Sequence, residues 1–480
     1  MSKIETKINL KKISKRKLVK IVLSQEEISK KQDEIIGTQQ KMIDNLQSLV
    51  DEMQKRIQSL EKDSSNSSKP PSSDNDNNPK KNQSLREKSG KRPGGQKRHV
   101  GVTRKQNNNP DKIIPCRPEN CDHCGKNLSD KQGKIIARRQ ETDIPPIKPT
   151  TTEYRQVEIE CSCGHCNKGN FPNYIKSPMQ LGVNIKSFIV YLNIAHKLPY
   201  DRLKKMLSDM LNIQISEGSI ENSLEKCKEK SKSVYSEILA SVKTGRWTGS
   251  DETGTHVKGK KWWQWVWQNA YGSFYCITDS RGYKVVKEYF GENYWGILIH
   301  DCWSAQNNTV AKLGHQLCHP HLIRDLNYLI DSYKNIWCYQ MKQLLLASQR
   351  ARDKIWEECF NKSIQEKIIA YYDQRLQDLL IQKLSDDKEV AAIQKRFRKH
   401  QEKIFFFMGY KNVPFHNNSS EQAIRNAKIH KKISGGFRSE AGAERHAVIL
   451  SVIETCKKRD LNVLDSLRQI FLGTFSLKGT

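Results

Sequence analysis

The sequence predicts an α/β chain, with a mixed-sheet core interrupted by a helical insertion and preceded by smaller units. Three observations predict it. RWTGSDETGTHV, KWWQWVWQNA and SFYCITDS are consecutive β-type runs separated by turn residues. The apolar run ILIHD reads as a buried strand ending in an acid, where α/β folds expose chemistry. Residues 323–400 are polar, with a helical pattern and few turn signals. A length of 480 residues is a prior for about three domains and leaves room for a sizeable core.

Residues 1–62 are highly charged. From Ile28 a heptad places Ile28, Ile35, Met42 and Leu49 at one core position and Leu46, Met53 and Leu60 at the other. Gln32, Gln39 and Arg56 interrupt it. The pattern predicts a coiled coil and therefore self-association, with a single solvated helix as the alternative. Residues 63–113 change abruptly. DSSNSSKPPSSDNDNNPKKNQS has almost nothing to bury and is expected to be disordered. The basic stretch KSGKRPGGQKRHVGVTRK follows. Lys91, Arg92, Lys97 and Arg98 in it are candidate DNA contacts, because short basic arms can lie in the minor groove. A solvated linker fits the composition equally well.

Residues 114–178 hold the cysteine cluster. Cys121 and Cys124 form one CxxC knuckle, and Cys161, Cys163 and Cys166 supply a second 37 positions after Cys124. Thiolates in two tight turns can close a tetrahedral structural zinc site. Four of these five cysteines are the expected ligands; Cys161 with Cys163, or Cys163 with Cys166, would complete the set. Cys116 and His165 are spare candidates, and redox chemistry is the alternative. TTEYRQVEIEC alternates like a strand between the knuckles, so a small zinc ribbon is predicted.

Residues 179–243 read as helices. Leu203, Met206, Leu207, Met210 and Leu211 make one apolar stripe. Ser216 can cap a second helix carrying Ile220, Leu224 and Cys227, with Lys226, Lys228 and Lys230. A DNA-binding helix-turn-helix and an ordinary helical hairpin both fit.

Residues 244–440 are the expected core, with residues 323–400 inserted and residues 441–480 a C-terminal helical segment. Three antiparallel strands, a helical run at YKVVKEYF and the strand at ILIHD match the order of a ribonuclease-H-like core. Trp263, Trp265 and Trp267 share a strand face and read as core; Trp262 lies opposite.

Three acids stand out. Asp251 lies in GSDETGTH, Asp301 ends ILIHD, and Glu421 follows NNSS at the start of a helix that Asn417, Asn418 or Ser419 can cap. Three such carboxylates can hold two hard divalent cations, about 3.5–4 Å apart, for an in-line phosphoryl displacement. Arg425 and Lys432, four and eleven residues after Glu421, fall on nearly its helix face and can meet phosphates. Gly435 and Gly436 stop that helix. Glu252 and His300 adjoin the acids but point to the opposite strand face. Asp279 and Asp325 read as surface or capping residues. His319 and His321 straddle Pro320 and fit a phosphate-positioning role or a structural one.

Composition narrows the partners. The formal net charge of +29 points to nucleic acid. No apolar run approaches about 18 residues, so no membrane span is expected. KLVKIVLS, broken by Lys20, is too short and polar for a signal peptide. Thirteen cysteines, mostly scattered, fit a reducing cytosol. A cytoplasmic, nucleoid-associated location follows as the expectation.

In order, SSNSSKPPSSD, RPGGQK, the CxxC knuckles, KLPYDRL, DETG, HDCWSA and NNSSEQAIRNAKIHKKISGGFRS closely resemble the insertion-sequence-66 family of bacterial transposases. The resemblance covers about residues 60–475. It implies an Asp-Asp-Glu triad of Asp251, Asp301 and Glu421 holding two Mg²⁺ ions, with Mn²⁺ as a substitute. It also implies that Cys318 and His321 are the Cys-x-x-His feature between the second and third acids, and that Arg425 and Lys432 are the basic pair after the glutamate. Gln422 stands where the family pattern often has Arg. The implied activity is DNA transposition: cleavage at element ends, then joining of the 3′-hydroxyl to target DNA. Implied partners are terminal inverted repeats, target DNA, at least one further copy of the chain, and helper proteins of the same element. A catalytically inactive, zinc-containing DNA-binding protein derived from a transposase is the alternative, and a structure-selective nuclease on the same fold is a third reading.

Overall fold

Lys258 and Gly259 both carry positive φ, 51° and 75°, the pair that a two-residue type I′ hairpin requires. They join two strands of a central sheet. The computed structural model describes residues 15–60, 104–145, 147–358 and 361–477. In chain order its elements begin with the long helix α1 (Lys15–Leu60) and the short strands β1 (Glu158–Glu160) and β2 (Cys166–Lys168). Helices α2 (Val183–Val190), α3 (Tyr200–Leu211) and α4 (Glu217–Thr244) follow. The sheet region holds β3 (Trp247–Val257), β4 (Lys260–Gln268), β5 (Ser273–Thr278), α5 (Tyr283–Val285), β6 (Asn293–Tyr294), β7 (Ile297–His300), α6 (Ser304–Asn307), β8 (Val310–Ala311) and β9 (Gly314–Leu317). The helices α7 (His319–Tyr333), α8 (Ile336–Glu358), α9 (Lys362–Leu380) and α10 (Lys388–Lys399) come next. The described chain closes with α11 (Asn418–Ser434), α12 (Glu440–Lys458) and α13 (Val463–Leu472).

The fold is mixed α/β. One five-stranded sheet has the order β5-β4-β3-β7-β9. The first three strands form an antiparallel meander, and β3, β7 and β9 run parallel. Alternation along β7 divides the core in two. Leu298 faces a cluster shared with α4, α12 and α13, whereas Ile297 and Ile299 face a second cluster built from α7, α8, α9 and α10. The inserted helices therefore carry their own apolar core and dock it on the parallel half of the sheet. Trp265 and Trp267 are fully buried and stack with ring centroids 5.6 Å apart. Trp263 is only half-buried.

Several expectations change. α3 buries Leu203 and Leu207, but Met210 is exposed, so the apolar stripe is narrower than its composition suggested. Ser216 does cap α4, accepting from Ser219 N–H. Yet α4 is 28 residues long and packs along α12 and β5. Lys228 is buried and paired with Glu444 at 2.8 Å and Glu225 at 3.4 Å, so it is a packing residue and not an open phosphate contact. Asp325 is also buried, in an ion pair with Arg396 at 2.5 Å; its partner lies 71 residues away, where local reading sees only a surface acid.

α1 leaves Ile28, Ile35, Met42, Leu46, Leu49 and Met53 exposed. The side chain of Leu60 lies outside the described residues, as do Lys91, Arg92, Lys97 and Arg98. Among the described residues, no helix is long and apolar enough to cross a membrane.

Candidate active site

Asp251 lies midway along β3. The parallel register pairs Gly249 with Ile299, two residues before Asp251 on β3 and two before Asp301 on the other segment. β7 ends at His300, and Asp301 opens the loop beyond it. Because strand side chains alternate, Gly249 and Asp251 share a face of β3.

α11 lies on that face of β3. Asn417 Nδ2 donates to Ser250 O at 2.7 Å, and Gln268 Nε2 donates to Ser420 Oγ at 3.1 Å. Asn417 occupies the N-cap position but makes no side-chain cap bond; its amide ties the helix to the sheet instead. Glu421 stands in the first turn of α11, where the helix dipole favours a negative charge. The helix ends at Gly435, whose φ is 71°. The chain then touches the far end of β3. Phe437 N–H donates to His256 O at 2.8 Å, and Lys258 N–H donates to Phe437 O at 2.9 Å. Gly436 has φ 143°, and a Cβ there would lie 2.6 Å from His256 O, so only glycine suits the return.

The electrostatics bear the mark of this convergence. Burial raises the Asp251 pKa well above its ordinary value, and the negative charges of Glu252, Asp301 and Glu421 raise it further. Only the Glu252 backbone N–H opposes them. The donors are hard oxygens, and a hard divalent cation is the partner that would reverse this balance. The three carboxylates do not all lie within 4.8 Å of one another.

Cys318, His321 and Glu421 do have ligand atoms within 4.8 Å of one another, the one such group among the described residues. Cys318 joins two parts of the site. Its N–H donates to His300 O at 2.9 Å, and its sulfur accepts from Asn417 N–H at 3.3 Å. The strand leading into Asp301 is thereby tied to the N-cap of the helix carrying Glu421. Burial and the Glu421 charge push the Cys318 thiol up to about 12, so it stays protonated. His321 Nδ1 stands 3.5 Å and Arg324 Nη2 3.8 Å from the Glu421 carboxylate. Arg425 and Lys432 are exposed along α11.

His300 and His319 are fully buried. His300 is buried against His315 at 3.1 Å, and burial holds its pKa well below the usual range. His319 is buried between Ile404 O and Gln349, and burial lowers it to about 4. Glu252 points to the opposite face, where Arg281 approaches it at 2.6 Å and Gln306 at 2.7 Å. Sequence reasoning missed Arg281, Gln306 and Arg324. Only Arg324 had a local signal, three residues after His321 on one helix.

The cysteines behave differently. Cys121 and Cys124 form one tight turn closed by Gly125, and Cys161 and Cys163 another closed by Gly164. The backbone N–H of Cys124 leads the groups that hold the Cys121 thiol below its ordinary range. The two turns are not gathered, however; no three of these thiols lie within 4.8 Å of one another. Nearly all of residues 114–178 is exposed, so no apolar core draws the turns together.

An acid-lined face of a mixed α/β sheet, reached by a late helix, is consistent with a ribonuclease-H-like nucleic-acid-processing core. The Transposase IS66 family matches residues 178–445, more than half of the chain, and the chain belongs to that family. Residues 19–105 match a family of unknown function (DUF6444). The chain is also similar to "Uncharacterized protein y4hP" of Sinorhizobium fredii (strain NBRC 101917 / NGR234). The two are 21% identical over 391 residues, covering 73% of this chain and 70% of that protein. Family membership implies DNA transposition, DNA binding and a divalent metal.

Proposed function

We propose that the chain is an active DNA transposase whose triad is Asp251, Asp301 and Glu421. The observation that supports this reading is the seating of α11 on β3, where Asn417 Nδ2 donates to Ser250 O at 2.7 Å and brings the first turn with Glu421 toward Asp251, whose pKa is raised by burial, Glu252, Asp301 and Glu421. The triad would hold two Mg²⁺ ions, with Mn²⁺ as a substitute. When bound, the ions supply charge stabilisation for both the attacking and the leaving oxygen of an in-line displacement.

The chain's own residues do the rest. Cys318 holds the Asp301 strand and the Glu421 helix in register. His321 and Arg324 flank the Glu421 carboxylate and fix its direction. Arg425 and Lys432 meet backbone phosphates along α11. A water and then the freed 3′-hydroxyl are the nucleophiles, so no side chain forms a covalent bond to DNA.

The remaining units supply DNA handling. The apolar seam of α1 pairs two copies, which suits the joining of two element ends. The basic arm at Lys91, Arg92, Lys97 and Arg98 follows it. Residues 114–178 form a zinc ribbon only when an ion draws the two cysteine turns together, because metal binding and folding are coupled in so small a unit.

Labelled element ends incubated with Mg²⁺, and separately with chelator, test this reading. Mg²⁺-dependent cleavage and joining are expected. Asp251→Asn abolishes both and leaves DNA affinity intact; cleavage retained in that variant removes the triad. Tight, salt-sensitive binding without cleavage by the wild-type chain favours the inactive DNA-binding protein. Cutting without the joining of pre-cleaved ends favours a nuclease.

A further inference from the structure

Trp303 stands two residues beyond Asp301, and its backbone N–H donates to the Asp301 carboxylate at 3.3 Å. Its side chain is held at an edge and over a face. The indole Nε1 donates to Arg281 O at 3.3 Å, and the Arg281 guanidinium carbon lies 3.6 Å from the ring centroid. Arg281 is itself fixed. It lies 4.8 Å from the Trp263 ring centroid and donates to Glu252 Oε1 through both Nε and Nη2. Glu252 Oε2 accepts from Gln306, and Glu252 is only 5% exposed, so the anchor of this chain of contacts is buried. Trp303 nevertheless keeps 37% of its surface exposed. An indole anchored by backbone, ring edge and ring face, yet left open beside an acid, is not explained by core packing.

We propose that Trp303 is a stacking platform for an unpaired nucleobase of the DNA strand whose phosphate lies at the acids, a subsite that rests on the transposase reading above. Every base has a π-face, so an aromatic ring takes any of them, and a guanidinium behind the ring adds favourable charge. The tie to Asp301 confines the base to the nucleotide beside the scissile phosphate. Glu252 and Arg281 are positioning residues; they keep the ring in place and touch no substrate. An unpaired base must first leave its duplex partner, and the ring offsets the stacking lost in that step.

The test compares two fluorescein-labelled duplexes carrying the element's terminal sequence. One is fully paired and the other has a single mismatch at the cleavage point. Their affinities for wild-type, Trp303→Phe and Trp303→Ala full-length protein are measured by anisotropy with Ca²⁺ in place of Mg²⁺. The wild type is expected to prefer the mismatched duplex about tenfold. Phe keeps that preference, and Ala loses it without weakening on the paired duplex. No preference in the wild type overturns the proposal. So does a preference surviving in Ala, or an equal loss by Phe and Ala on both duplexes, which is the signature of a purely structural tryptophan. Cleavage is not read, so a failure of the triad reading leaves this result separate.

Discussion

A methyl group on Gly249 would lie 2.4 Å from Ser420 Oγ and 2.7 Å from Asn417 Oδ1. The glycine is therefore what lets α11 settle on β3, and Glu421 is the next residue after Ser420. Gly249→Ala should overpack this contact, destabilising the fold by about 1–3 kcal/mol. It should also shift Glu421 from its place. A displacement near 1 Å lowers cleavage roughly 100-fold, while DNA affinity stays near wild type. Urea unfolding, a cleavage assay and anisotropy check the three parts; unchanged cleavage would sink the argument.

Asp251 sets a pH dependence. Its folded pKa is raised above the unfolded value, so its contribution to stability is full below the unfolded pKa and is lost as pH climbs through the folded one. Glu252 behaves alike, with a folded pKa of about 7, raised by burial and Asp301 against the pull of Arg281. In metal-free buffer, Asp251→Asn should therefore melt higher than wild type, and the gap should widen from pH 5 to pH 8. Adding Mg²⁺ should raise the wild-type melting temperature and leave the variant nearly unmoved. A gap that narrows with rising pH contradicts this account.

Cys318 offers a contrast between substitutions. Ala leaves the buried Asn417 N–H without an acceptor, which costs about 1–3 kcal/mol. Ser restores an acceptor and should recover part of that loss in chemical denaturation. The thiol, pushed up to about 12, should resist alkylation at neutral pH in the folded protein and react only on unfolding. Rapid labelling of native Cys318 would contradict its placement.

The cysteine turns should show their metal by spectroscopy. Co²⁺ added to reduced full-length protein is expected to give a thiolate charge-transfer band, lost in Cys121→Ser and displaced by Zn²⁺. The same variant should keep the fold of residues 178–477, because those turns lie outside its core. Absence of the band in the wild type removes the zinc ribbon.

What the sequence made legible followed from local periodicity. The meander, the strand at ILIHD and the inserted helices each carry their pattern within a dozen or so residues. The opposed directions of Asp251 and Glu252 followed from strand alternation alone. Long-range pairing stayed hidden. Nothing near Asp325 announces Arg396, nothing near Glu252 announces Arg281, and Lys228 meets a glutamate 216 residues away. Asn417 looked like a cap because capping is the local use of asparagine; its amide turned to Ser250 O because a β-strand lay within reach.

The distance along the chain between β3 and α11 has a consequence for synthesis. A ribosome exposes Asp251 and Asp301 long before Glu421, and the clasp of Phe437 on His256 later still. A nascent chain thus completes β3 and the strand before Asp301 while still lacking the helix that carries Glu421. A chain that stops short of residue 421 lacks both that helix and the contact that closes it on β3.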